Sequence, residues 1–204
     1  MALESICGTL LSGQDSSCAQ LIKRYYQQIV IIPKTDIAEF EIVKTDFSTE
    51  NPTCKYHVTF SLKEGKTGFR FTGPANGNSY SLDFSKSTTD TGFVQYTHTV
   101  NMLFAGLSEA DKCILEALDK GSYIVALQQM GSDLIEIAGI QFGLSTGDYD
   151  ATPASNGGAT PLTLVSNENS LENYLPLIYK SAVEGGEVAD FDANFANPAV
   201  VPAG

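Results

Sequence analysis

The chain has 204 residues, of which 43% are hydrophobic and 18% are charged, enough for one domain with a sizeable core. Twelve basic and 24 acidic residues give a formal net charge of −12, and such a surface repels phosphate backbones and anionic lipids. We therefore expect neither a nucleic-acid-gripping protein nor a membrane partner. Residues 1–13 lack the basic start and apolar run of a signal peptide, so a soluble, cytosolic chain is expected.

Alternation of apolar and polar residues with a period of two predicts strands in much of the first hundred residues. The short runs "QQIVIIPK" and "FEIVK" are candidates, and Pro33 limits the first to an edge or an end of a sheet. The runs "KYHVTFSLK" and "FRFT" flank the turn material "EGKTG", so residues 55–72 are predicted to form a hairpin. The run "SYSLDF" predicts a further strand.

The stretch 93–121, "FVQYTHTVNMLFAGLSEADKCILEALDKG", changes period after Gly106. Its first half alternates as a long strand. Ser108 is a good N-cap, acidic residues follow in the first turn, and Lys-Gly ends the segment, which predicts a helix. The apolar stripe of this helix is expected to cover one side of a sheet; it comprises Ala110, Ile114, Leu115 and Leu118.

The last third of the chain predicts a second hairpin, a long loop and a tail. "SYIVALQQ" and "DLIEIAGIQFGL" flank the turn "MGSD", and the small-residue run "STGDYDATPASNGGATP" predicts a loop of about 17 residues. "LTLVSN" and "YLPLIYK" predict one more strand and an ordered return. Residues 184–204 are acidic and rich in Gly, Ala and Pro, which predicts an arm or disordered tail outside a core domain of residues 1–183.

These elements amount to about six to nine strands and one helix, without repeats and without alternating βαβ units. The fold class predicted is mainly β: an antiparallel β-sandwich or half-barrel with one flanking α-helix.

His98 and Cys113 are the sharpest catalytic candidates, because an imidazole beside a thiol can activate a nucleophile. However, His98 shares the apolar face of its strand, and Cys113 lies in a helix without the usual thiolate-activating surroundings. We therefore expect a packing or subunit contact. His57 lies on a polar strand face and is a weaker candidate.

No other chemistry is legible in the sequence. The cysteines have no C-x-x-C pair, so free and mostly buried thiols are expected, at Cys7, Cys18, Cys54 and Cys113. Asp148 and Asp150 could bind Ca²⁺, but without an EF-hand pattern a solvated acidic loop is favoured, and cation binding stays open. Phosphate-cradle and hydrolase motifs are missing. We expect no catalytic residue, no metal and no cofactor, and hence no enzyme.

The order of parts resembles the tail-tube family of tailed bacteriophages, in particular versions from phages of Bacteroides and crAss-like phages. The resemblance rests on a "CGTLLSGQDSSC" opening, the strand "FVQYTHTVNMLF", the helix "GLSEADKCILEAL", the strand run "SYIVALQQMGSDLIEIAG" and "IQFGLSTGDYDATPASNGGATPLTLVSNE". It covers roughly Ala2 to Lys180 and is one of pattern and order. Residues 184–204 extend beyond it, which departs from a plain stacking tube subunit.

The resemblance implies a structural virion protein that assembles in the host bacterial cytoplasm into a homo-oligomeric ring, six-fold or twelve-fold. Its partners would be copies of itself and adjacent neck or tail proteins. Genomic DNA would pass through the channel without specific binding. A stacked tube and a single head–tail neck ring stay open.

Three alternatives stand beside this expectation. One is a β-sandwich module that binds glycans, although the chain has no Trp for an aromatic platform. Another is the tube component of a phage-derived contractile injection system. The third is a Cys/His enzyme built on Cys113.

Overall fold

The computed structural model describes residues 26–45, 55–73, 79–105, 108–129, 132–150 and 159–198. Within these ranges the chain is mainly β, as predicted, with an 11-stranded sheet and two α-helices. The strands are β1 Tyr26–Pro33, β2 Ile37–Thr45, β3 Lys55–Leu62, β4 Phe69–Thr72, β5 Tyr80–Thr88, β6 Val94–Ala105, β7 Tyr123–Gln129, β8 Ile135–Ala138, β9 Leu144–Thr146, β10 Ala159–Ser166 and β11 Leu177–Tyr179. The helices are α1 Glu109–Asp119 and α2 Glu187–Asp192, and a 3-10 turn occupies Lys34–Asp36.

The sheet is organised around β1 and β7, which pair with each other in antiparallel fashion. From β1 the pairings run through β5, β6, β10 and β9 and return to β7, so these strands form a closed circuit. A second branch leaves β7 through β8, β11 and β3 and ends at β2. Pro33 is the last residue of β1, as predicted, and a proline is tolerated at the end of a strand although it has no N–H to donate to a neighbouring strand.

Two hydrophobic clusters lie on opposite faces of the β1–β7 pair. Ile29 and Ile31 point into the first cluster, within the circuit, whereas Val30 and Ile32 point into the second, beside the β8–β11–β3–β2 branch. Successive side chains of a strand point to opposite faces, so a strand buried on both faces needs an unbroken apolar run. The run "IVII" supplies it.

Helix α1 begins where the sequence predicts. The Ser108 hydroxyl accepts from the Asp111 N–H at 3.2 Å, and the Asp111 carboxylate accepts from the Ser108 N–H at 3.0 Å, which forms a capping box. The helix covers less of the sheet than expected, because Leu118 is buried and Leu115 half-buried, whereas Ala110 and Ile114 are exposed.

The segment 187–197 packs onto the body of the protein. Phe191 and Phe195 belong to the second hydrophobic cluster, so the expectation that the phenylalanines of this segment lie outside the core is wrong. Arg70 binds the segment with hydrogen bonds to the Phe191 carbonyl at 2.6 Å and to the Asn194 side chain at 2.9 Å. The division of the chain at residue 184 stays a prediction, and residues 199–204 lie outside the described ranges.

Several pairings differ from those expected. β3 and β4 do not form the predicted hairpin: β3 pairs with β2 and β11, and β4 pairs with β1. The sheet is mixed, because β11 and β3 are parallel across a long connection. The short strands β9 and β11 raise the strand number above the predicted range, and α2 adds a second helix. The predicted hairpin of β7 and β8 is confirmed.

Candidate functional site

His98 is buried in β6, with 1% of its surface exposed. Its Nε2 lies 2.9 Å from the Tyr174 carbonyl oxygen, which can only accept, and its Nδ1 lies 3.3 Å from the Gly139 N–H, which can only donate. These partners fix the neutral tautomer with the proton on Nε2. Burial lowers the pKa of His98 to about 4, and the hydrogen bond to Tyr174 opposes that shift. The imidazole therefore connects β6 through hydrogen bonds to the backbone at Tyr174 and at Gly139.

Glu172 is a second buried titratable group, with 0% exposure. Its carboxylate accepts from the N–H of Phe142 at 3.0 Å and of Gln141 at 3.1 Å. Burial raises the pKa of this carboxyl, and the backbone donors and the Lys34 ammonium counteract part of that rise. The Lys34 ammonium itself hydrogen-bonds the Ile140 carbonyl.

His98 and Glu172 hold the same turn, residues 139–143, against β6. Gly139 and Gly143 have φ values of +76° and +85°, which glycine adopts freely, and a Cβ on Gly139 would lie 2.7 Å from Leu144 Cγ. Among the described residues, every buried side-chain nitrogen or oxygen has a hydrogen-bond partner. The cluster therefore positions the turn of residues 139–143.

The structure does not bring His98 and Cys113 together as a pair. Cys113 is exposed on α1, contrary to the expectation of a buried thiol, whereas His98 is bound to Tyr174 and Gly139. Cys7, Cys18 and Cys54 lie outside the described residues. His57 is half-buried on β3.

Asp148 and Asp150 line a groove of about 520 Å³ together with Tyr149 and Asn101. The Tyr149 hydroxyl donates to Asp119 at 3.0 Å, which attaches this loop to the end of α1. Within the part of the chain that the structure describes, no three His, Cys, Asp or Glu side chains cluster as metal ligands would.

None of the described helices is long and apolar enough to cross a bilayer.

The outer half of the β5–β6 hairpin is the most exposed part of the sheet, and we call residues 83–96 the ribbon. Beyond Tyr80, β5 pairs with no described strand except β6. The turn at the tip is well defined, since the Thr89 N–H donates to the Phe93 carbonyl at 2.8 Å and Gly92 has a φ of +86°.

The two faces of the ribbon differ in chemistry. The side chains on one face of the ribbon point to the same side of the sheet as His98, which faces the core, and we call this the aromatic face. It comprises Phe84, Lys86, Thr88, Val94 and Tyr96. Phe84 is 51% exposed and Val94 is 40% exposed. The opposite face carries Asp83 and, beyond it, small or amide side chains, at Ser85, Ser87, Gln95 and Thr97.

Two further grooves lie on the surface of the described residues. The acidic groove, about 510 Å³, lies between the β2–β3 pair and the C-terminal segment; it is lined in part by Glu39, Glu41, Asp190, Phe40 and Val183. The apolar groove, about 810 Å³, lies between α1 and β4; it is lined in part by Phe69, Leu103 and Ile114.

Comparisons with protein-family models, with curated proteins and with solved structures gave no match to this chain.

The amino-acid sequence predicts the strands that carry these surfaces, but it does not predict which parts of the strands are exposed. The alternation of residues 80–104 predicts β5 and β6, but nothing local distinguishes the half that is covered from the half that is not.

Proposed function

We propose that the chain is a non-enzymatic structural virion protein that assembles with copies of itself into a ring or tube. The ring would form part of a phage tail or of the head–tail neck and would surround the channel for the genome. The observation that carries the proposal is the ribbon: a core-type strand face that continues past Tyr96, which pairs with Glu172, to Phe84 and Val94, which are 51% and 40% exposed.

An uncovered apolar strand face is unusual on a protein that acts alone, because exposed apolar patches mark interaction surfaces. Among the described strands, β2 and β4 stand at the two ends of the sheet, and a strand at an edge can extend a sheet into a neighbour. The strands β1, β5, β6, β10, β9 and β7 form a closed, barrel-like circuit, and a curved sheet of this kind would suit a tube-type subunit.

The charge of the chain fits a channel that DNA traverses without being held. A net charge of −12 disfavours phosphate contacts, since binding DNA would bring like charges together instead of releasing counterions. The polar ribbon face, with Asp83 and its hydroxyl and amide side chains, would suit a wet surface. The titratable groups His98 and Glu172 are occupied by backbone partners, which favours a scaffold over an active site.

Size-exclusion chromatography with light scattering over a wide range of concentrations, followed by negative-stain microscopy, tests the proposal. We expect a discrete oligomer that images as a ring. A chain that stays strictly monomeric at the highest concentration, and is missing from rings in assembled particles, would overturn it. Tight, selective binding on a glycan array would instead favour the binding-module alternative.

A further inference from the structure

The turn of residues 139–143 depends on side chains for most of its hydrogen bonds. Among the described residues, its one internal backbone bond joins the Gly143 N–H to the Gly139 carbonyl at 2.9 Å. Other backbone groups of the turn bind ionisable side chains from three separate parts of the chain, Lys34, His98 and Glu172. The protonation of these side chains therefore decides how firmly the turn is held.

The neutral form of His98 fits this arrangement and the charged form does not. Nδ1 accepts from the Gly139 N–H at 3.3 Å, and Nε2 donates to the Tyr174 carbonyl at 2.9 Å. A second proton would lie on Nδ1 and point at the Gly139 N–H, which can only donate. Protonation therefore breaks the hydrogen bond to the turn and leaves the one to Tyr174 intact.

The surroundings of His98 do not compensate a positive charge. The ionisable side chains on the elements around it are Tyr96 of β6, Lys86 of β5, Glu136 of β8, and Glu172 and Tyr174 of the segment after β10. Both carboxylates are engaged elsewhere: Glu136 accepts from the Tyr26 hydroxyl, and Glu172 accepts from backbone N–H groups of the turn. Neither influences the pKa of His98, which burial lowers to about 4.

We propose that the turn of residues 139–143 is an acid-sensitive latch, which is closed while His98 is neutral and opens when His98 binds a proton. Opening removes Ile140, which is 1% exposed, from the second hydrophobic cluster and separates Glu172 from its backbone donors. The opening is local, because β8 stays paired with β7 on one side of the turn and β9 with β10 on the other.

Glu172 acts against the latch. Burial raises the pKa of this carboxyl, so a proton on Glu172 favours the closed turn, whereas a proton on His98 favours the open one. A comparison of two chains that both keep Glu172 isolates the contribution of His98.

Hydrogen–deuterium exchange tests the latch. Protection of the amides of residues 139–143, corrected for the intrinsic pH dependence of exchange, is measured at about pH 7.5 and about pH 5 in the parent chain and in His98→Gln. The pKa of His98 is about 4 in the closed turn and returns to its ordinary 6.5 when the turn opens. Protection in the parent should therefore fall by about 30-fold relative to the variant between these two pH values. His57→Gln keeps His98 and should retain the fall.

The expected result is a loss of protection confined to the turn, with the amides of β1 and β7 still protected. An equal loss across β1 and β7 would show global unfolding and would overturn the latch. Protection of the turn that does not change with pH in the parent, or that falls as much in His98→Gln, would also overturn it.

Nuclear magnetic resonance of the parent chain alone decides the matter if His98→Gln does not fold. Exchange of the Gly139 amide, corrected in the same way, should rise as the pH falls towards the pKa of the His98 ring. Titration of the ring with no change at Gly139 would overturn the latch.

Discussion

Lowering the pH should destabilise the fold through His98. The imidazole is buried and neutral, with a pKa of about 4 instead of 6.5, because burial disfavours the charged form. Between these two values the unfolded chain binds a proton at this residue and the folded chain does not. Protonation therefore favours unfolding, so the stabilising contribution is present above about pH 6.5 and is lost as the pH falls towards 4.

The size of the effect follows from the difference between the two pKa values. Over the whole window it amounts to about 3 kcal/mol, and between about pH 7.5 and about pH 5 it amounts to about 2 kcal/mol. Glu172 acts in the opposite sense: its pKa is raised, so its contribution to stability is present at low pH and is lost as the pH rises. A comparison of two chains that both contain Glu172 removes its contribution.

Urea unfolding of the parent chain and of His98→Gln at a series of pH values measures the effect. Stability of the parent relative to the variant should fall by about 2 kcal/mol between about pH 7.5 and about pH 5. His57→Gln, at a half-buried position on β3, is the matched control. A difference between parent and His98→Gln that does not change with pH would refute the burial argument.

The remaining predictions concern the C-terminal segment, the held turn and the free thiol. Phe191→Ala should lower the free energy of unfolding by about 3 to 5 kcal/mol, because its ring is fully buried, whereas the exposed Val183→Ala should change it by about 0.5 kcal/mol or less. Equal effects in urea unfolding would contradict the packing. Glu172→Gln should cost about 1 to 3 kcal/mol, since an amide replaces one acceptor oxygen facing backbone donors, and the exposed Glu168→Gln should be neutral by thermal melts. Cys113→Ser should leave melting temperature and self-association unchanged, and a thiol reagent should label Cys113 no faster than a small free thiol; rapid selective labelling would instead favour the Cys/His enzyme.

Local features of the sequence predicted local structure well. The Ser108 cap of α1 and the alternation of β6 depend on residues within a few positions of each other, so their patterns are complete in the sequence. The unbroken apolar run "IVII" is also typical of a strand that is buried on both faces. Phe191 and Phe195 stand four residues apart, which is a helical spacing. The acidic, Gly-, Ala- and Pro-rich composition of residues 184–204 instead led to the prediction of an arm or disordered tail.

Features that depend on distant partners could not be predicted. Alternation in residues 55–72 indicates two strands but does not show which strands they pair with. In the structure β3 pairs with β2, and β4 pairs with β1. Glu172 lies about 30 residues from the turn that it holds, and Arg70 lies more than 120 from the carbonyl that it binds. Nothing in their neighbours in the sequence distinguishes them from exposed charges.

The most direct test of the account is the oligomeric state of the parent chain beside Phe84→Ser, measured by light scattering at matched concentrations. Phe84 is about half exposed, so the substitution should leave the chain folded, with an unchanged far-ultraviolet circular dichroism spectrum. The account predicts a discrete oligomer for the parent chain and a monomer for the variant. Identical assembly of the two chains, or a parent chain that remains monomeric throughout, would contradict it.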